Sequence, residues 1–190
     1  DIAICGGSRS DAARFLRSAA LDGQPASTRS IAAHLDRARA AGLAFRTEAA
    51  ADRPFLIALY ASTRADEMAM LDWPDAQKAA FLQMQFEAQH KHYRAHYPHA
   101  EWLIALSGGS PVGRLYLERW PSEIRIIDIA LLPAWRRHGL GGAMLSDTIG
   151  LDDAEAIGVG SHVGAVNPAL GLYHRPGFRR LETEGLDHRL

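Results

Sequence analysis

Arg136-Arg137-His138-Gly139-Leu140-Gly141-Gly142 lies between an apolar run that closes at Pro133 and a helix-compatible segment, Ala143 to Ile149. Glycines at 139, 141 and 142 let the backbone turn tightly and come close to a ligand. The first amides of the helix that follows have no acceptor inside that helix. Their aligned dipoles add roughly half a positive charge at the helix start, and the two arginines add whole ones. A loop of this kind cradles an anion, and a phosphate or pyrophosphate fits it. Taken alone it also reads as a glycine-rich turn with solvated arginines.

The flanking sequence decides between these readings. Ile124-Arg125-Ile126-Ile127-Asp128-Ile129-Ala130-Leu131-Leu132 is rich in β-branched residues and reads as a largely buried strand, so strand, arginine-glycine loop and helix follow in order. Arg136-x-x-Gly139-x-Gly141 after such a strand resembles the acyl-CoA pyrophosphate signature of the GNAT superfamily of N-acetyltransferases. Asn167-Pro168-Ala169-Leu170-Gly171-Leu172-Tyr173-His174-Arg175-Pro176-Gly177-Phe178 is similar to that family's later asparagine, tyrosine and glycine-phenylalanine motif.

The resemblance covers residues 45–190 and implies an α/β (α+β) fold. In it a mixed, mostly antiparallel sheet of six or seven strands is flanked by helices and opens like a V between the fourth and fifth strands. Here those strands are Ile124 to Leu132 and Ser161 to Val166. It implies acetyl-CoA as cosubstrate, with Arg136, Arg137, His138, Gly139, Leu140, Gly141 and Gly142 around the pyrophosphate. A bulge in the fourth strand is expected to leave backbone groups near Ile129 and Leu131 to the pantetheine arm, while Asn167 orients that arm or the next helix. The implied reaction is direct attack of a primary amine, from a small molecule or a peptide, on the thioester in a ternary complex. Tyr173 matches the family's usual proton donor, and a phenol with an ordinary pKa of about 10 is protonated at neutral pH. Asp128 is a candidate base whose other reading is a hydrogen-bonded structural carboxylate. Strict alternation would point it away from both Ile127 and Ile129.

Ahead of that domain, residues 1–44 form an N-terminal extension rich in alanine, serine and arginine, outside the resemblance. Asp11 to Ala20 and Thr28 to Ala41 have helical character, the second ended by Gly42. Ala44 to Glu48 reads as a first strand, Asp52-Arg53-Pro54 as a helix start, and Pro74 to His96 as a long helix with Leu82, Phe86, Tyr93 and Tyr97 on its core stripe. In the resembled family these two helices cover a mouth of the acceptor site. Ser107-Gly108-Gly109-Ser110 joins two apolar runs as a β-hairpin. Phe178 to Glu182 and Leu186 to Leu190 read as the last strands.

His92 and His96 stand one helical turn apart, but no third ligand accompanies them, and no metal is expected. A histidine of this cluster, which also includes His90 and His99, or Glu87, could instead face the acceptor amine.

The chain has 190 residues, 47% hydrophobic and 23% charged, enough for one substantial core. Its 21 basic and 22 acidic residues leave a formal charge of −1, so no general field favours nucleic acid or an anionic membrane. No apolar run approaches the ~20 residues that span a bilayer. The lone Cys5 makes no internal disulfide, and a cytoplasmic monomer or homodimer is expected. Two other classes compete with the enzyme. One is a non-catalytic acyl-CoA-binding sensor or scaffold; the other, a dinucleotide-dependent oxidoreductase, fails on glycine spacing and lacks a downstream acidic ribose contact.

Overall fold

The computed structural model describes residues 30–155, 158–164, 182–184 and 187–189. In chain order the helices are α1 (Asp36–Ala40), α2 (Arg53–Thr63), α3 (Ala65–Ala69), α4 (Asp75–His96) and α5 (Leu140–Glu155). The strands are β1 (Ala44–Thr47), β2 (Glu101–Ser107), β3 (Ser110–Arg119), β4 (Glu123–Leu131), β5 (Gly158–Gly164), β6 (Glu182–Glu184) and β7 (Asp187–Arg189). They form a seven-stranded sheet of order β1-β2-β3-β4-β5-β7-β6. All neighbours are antiparallel except β4 and β5, as expected of a mixed, mostly antiparallel sheet.

Alternation along the strands divides the core between the two faces. Trp102, Ile104 and Tyr116 pack with Leu56 and Tyr60 of α2 and with Leu82, Phe86 and Tyr93 of α4. Leu103, Leu115, Leu117 and Ile129 pack on the other face with Met144 and Leu145 of α5. The hairpin follows its glycines: Gly108 and Gly109 sit at φ 54° and 82°, the two-residue turn whose twist matches that of the strands, with Ser107 opposite Ser110.

Two irregularities shape the sheet where β4 meets β5. In the β3–β4 ladder Tyr116 faces Asp128 while Leu117 faces Ile126, so Ile127 is an extra residue, a β-bulge. The bulge corrects the expectation from alternation. Ile127 joins the apolar cluster containing Tyr93 and Tyr116, and Asp128 accepts a hydrogen bond from the same Tyr93, so the two share the α4 face. Ile129 returns to the opposite face. The second irregularity is a parting of strands. β4 and β5 pair only from Glu123 opposite Gly158 to Ile126 opposite Ser161, and among the described residues β4 has no partner strand on that side from Ile127 to Leu131. The sheet opens there as a V.

The single helix expected over Thr28 to Ala41 is, in its described part, a 3-10 turn (Ile31–His34) and α1, broken at Leu35. Carboxylates remote in sequence explain the break. Glu101 of β2 accepts from Ser30 Oγ and the Ile31 and Ala32 amides at 2.7, 2.5 and 3.1 Å. Asp147 of α5 accepts from the Arg37 and Ala38 amides at 3.0 and 2.8 Å. Each carboxylate supplies acceptors to amides that a helix start leaves unpaired, so two short starts replace one long one. α1 ends as a Schellman motif: the Gly42 amide bonds Arg39 O and the Leu43 amide bonds Ala38 O, at 2.9 and 3.0 Å. Ile31, Leu35, Ala38 and Leu43 are buried in the core facing α5, so residues 30–44 are packed onto the domain. The helix expected over Asp11 to Ala20 lies outside the described residues.

Candidate functional site

The glycine loop sits at the mouth of this V. β4 ends in a 3-10 turn, Pro133–Trp135, and the chain then reverses through Arg137 at φ 61° and Gly139 at φ 81°. A Cβ at Gly139 would meet nothing within 4 Å, so the backbone conformation, not crowding, requires glycine there. The Ala143 amide bonds Gly139 O at 2.9 Å and starts the helical ladder. Among the described residues the Leu140, Gly141 and Gly142 amides have no backbone acceptor, which leaves them to a ligand at the start of a 16-residue helix. The Leu140 side chain is buried in the core and holds the helix start against the sheet. Arg137 and His138 are exposed and make no side-chain hydrogen bond among the described residues.

Arg136 is placed differently from its neighbour. Its Nε donates to Leu131 O at 2.8 Å, and Nη2 donates to Ser62 O and Ser62 Oγ at 3.1 and 3.0 Å. The guanidinium thus reaches back to the end of β4 and across to the last turn of α2. Burial lowers its pKa, and the nearby Asp66 opposes that shift. Ile129 and Leu131 turn their side chains into the core, so only their backbone can serve a ligand lying along the open edge of β4.

Behind the bulge lies a buried polar cluster. Arg114 and Asp128 are fully buried and form an ion pair at 2.6 Å, one nitrogen meeting one oxygen. The same nitrogen donates to Gln89 Oε1 at 3.1 Å, and Tyr93 OH donates to Asp128 Oδ2 at 3.3 Å. Asp128 Oδ1, Arg114 Nε and Gln89 Nε2 are buried without a hydrogen-bond partner among the described residues. Burial raises the Asp128 pKa, and the Arg114 charge with its hydrogen bond pulls it back. For Arg114 burial acts against the charge, but Asp128, Tyr116 and Tyr93 outweigh it and the net shift is upward. The cation is therefore permanent and Asp128 is its counter-ion.

The histidines of α4 stack on side chains of their own helix. His92 stacks on His96 with centroids 4.0 Å apart, and His90 stacks on Phe86 at 5.5 Å. Burial lowers the pKa of His90 and of His92. Glu87 pairs with Arg53 at 2.5 Å. Among the described residues no group of three His, Cys, Asp or Glu side chains is placed to hold a metal ion, and no helix is long and apolar enough to cross a membrane. Tyr173 and Asn167 lie outside the described residues, as does the helix expected between them.

Residue-by-residue reading gave Tyr93 only a place in the core and gave no site role to Ser62, Gln89 or Arg114. A signal existed for one of them. Arg114 is a charge set among apolar residues of β3, as Asp128 is in β4, and with Tyr116 opposite Asp128 the two are diagonal neighbours across the ladder.

Comparison with known proteins agrees with this geometry. A family model described as the acetyltransferase (GNAT) family matches residues 63–178. Mycothiol acetyltransferase of Thermobifida fusca (strain YX) is 32% identical over 85 residues, covering 45% of this chain and 26% of that protein, so the match spans about a quarter of that relative. The structure of PaiA N-acetyltransferase from Thermoplasma acidophilum, solved in complex with coenzyme A, superposes with a TM-score of 0.58 at 14% identity, over 77% of this chain and 96% of that one. An acetyltransferase from Thermus thermophilus gives 0.54 at 16% identity, over 77% and 93%. At these identities the structural likeness shows the fold.

Proposed function

The chain belongs to the GNAT acetyltransferase family, and from that premise we propose that it is an N-acetyltransferase moving an acetyl group from acetyl-CoA to a primary amine of a small molecule or peptide. The observation that carries this reading is the parting of β4 from β5 after Ile126, beside a glycine loop whose three helix-start amides have no backbone acceptor among the described residues. An extended arm ending in a diphosphate fits that pair of features. The amides of Leu140, Gly141 and Gly142, with the exposed Arg137 and His138, hold the diphosphate. Backbone groups of β4 around Ile129 and Leu131 hold the arm as another strand would. Asn167 orients the arm or the helix that follows it.

Acetyl-CoA supplies the activated acyl carbon, and the protein supplies proton management around it. Tyr173 donates a proton to the leaving thiolate. For the amine, Asp128 is the candidate proton acceptor. Its Oδ2 is occupied by Arg114 and Tyr93, which leaves Oδ1 for a proton arriving directly or through water.

The test is release of free thiol. Purified protein is incubated with acetyl-CoA and a panel of polyamines, amino acids, aminoglycosides and peptide amines, and thiol release with at least one amine supports the transferase. Coenzyme A binding without thiol release across the panel would favour a sensor or scaffold.

Gly139→Val gives a sharper expectation. Valine resists φ 81° by about 1–2 kcal/mol, and the loop has to deform to accept it. The Michaelis constant for acetyl-CoA is expected to rise by about tenfold, the equivalent of ~1.4 kcal/mol, with turnover much less affected. A fall in turnover at an unchanged Michaelis constant would separate the loop from cosubstrate binding.

A further inference from the structure

Arg136 opens the glycine motif, where an arginine reads naturally as a phosphate ligand, yet its fork points the other way. Nε bonds the carbonyl that ends β4, and Nη2 bonds both the carbonyl and the hydroxyl of Ser62 in the last turn of α2. Planar guanidinium makes such a three-point bridge with little loss of freedom per bond, whereas a lysine ammonium is a flexible point charge. Ser62 is itself fixed, since its hydroxyl donates to Leu59 O at 2.7 Å.

Two residues on, Arg64 lies over the Tyr60 ring at 5.7 Å and pairs with Glu67 at 2.9 Å, and its charge bears on Asp128. The end of α2 is therefore joined to the cradle by Arg136, while Arg64 at that end acts on the buried carboxylate behind the bulge through charge alone. We propose that Arg136 is a positioning residue that ties the cosubstrate loop to the C-terminal turn of α2, so that filling the cradle orders the acceptor-facing end of that helix. This rests on the transferase reading above, and it assigns the phosphate contact to Arg137 and the helix amides instead of the Arg136 side chain.

Coenzyme A is the probe, titrated by calorimetry at several salt concentrations, with amide hydrogen exchange followed over residues 59–64. In the wild-type chain coenzyme A is expected to slow exchange at the end of α2 by roughly tenfold. Arg136→Gln is expected to hold the coenzyme A dissociation constant within about threefold, with its salt dependence intact, while the slowing disappears. Arg136→Lys should behave as glutamine does, because charge without the fork cannot bridge Leu131 and Ser62. Ser62→Ala, which keeps the carbonyl contact, should lose part of the slowing. Arg137→Gln is the contrast, with affinity weaker by about tenfold and a shallower salt dependence.

Retention of the slowing in Arg136→Gln would overturn the tie. So would a loss of affinity and salt dependence in that variant equal to that of Arg137→Gln, since Arg136 would then be a phosphate ligand. If Arg136→Gln does not fold, the lysine and Ser62→Ala variants decide by the same readouts. A wild-type chain that binds no coenzyme A brings down the transferase reading and the coupling together, whereas binding with no slowing at 59–64 removes the coupling alone.

Discussion

Asp128→Ala is expected to lower the free energy of unfolding at neutral pH by about 3–5 kcal/mol, because it leaves the Arg114 guanidinium buried with no counter-ion. Arg114 cannot escape by losing its proton, since a guanidinium stays protonated inside a protein. Among the described residues it keeps one hydrogen-bond partner, Gln89 Oε1 at 3.1 Å, and the Tyr116 ring at 5.2 Å, neutral groups that offset little of the desolvation. Urea denaturation of wild type and variant, compared at equal slope, measures the loss. A loss below about 1 kcal/mol would mean that water reaches Arg114, and the cluster would then not be a closed part of the core.

The paired substitution Arg114→Met with Asp128→Leu separates stability from chemistry. Replacing both ions by apolar groups of similar volume is expected to return stability to within about 1–2 kcal/mol of wild type. Activity should not return with it, because the double variant has no carboxylate behind the bulge. A stable double variant with wild-type thiol release would leave Asp128 as a structural ion only. The pH dependence carries a definite sign. Burial raises the Asp128 pKa above its ordinary 3.8, so the folded state binds that proton more tightly than the unfolded chain. Ionisation of this group therefore weakens the fold as pH rises from 3.8 through the folded value, a desolvation cost that the Arg114 pair offsets only in part.

This cluster also marks how far the sequence could be read. The order of strand, loop and helix, the hairpin glycines and the core stripe of α4 are local signals. Each appears where its spacing implies: the hairpin turns at Gly108 and Gly109, and Leu82, Phe86, Tyr93 and Tyr97 are buried. The orientation of Asp128 was not legible, because one inserted residue reverses the alternation and the bulge exists only as a mismatch between two strands. The division of Thr28 to Ala41 was hidden for a similar reason, since Glu101 and Asp147 act on it from 70 and 110 residues away. Arg136 shows the limit of motif reading. A motif fixes the residue type and the path of the backbone, but the direction of a long side chain depends on Ser62, a neighbour that no local window contains.

Tyr173→Phe is expected to lower turnover by about 10²-fold, close to 2.7 kcal/mol of barrier, if the phenol protonates the leaving thiolate. The change keeps the ring and removes a single oxygen, so packing and coenzyme A affinity should hold while the chemical step slows. That pattern is the reverse of the one expected for Gly139→Val, which weakens binding and spares turnover. The two variants together therefore divide the site into a loop that holds and a residue that transfers protons. Wild-type turnover should also fall at high pH as the phenol ionises. This limb should be missing in the phenylalanine variant, whose residual rate relies on solvent to protonate the thiolate. A variant that keeps its turnover within twofold and retains the limb would place the proton donor elsewhere. Tyr173 would then have no part in the chemistry, and the acetyl-CoA site would stand on the cradle and the open edge of β4 alone.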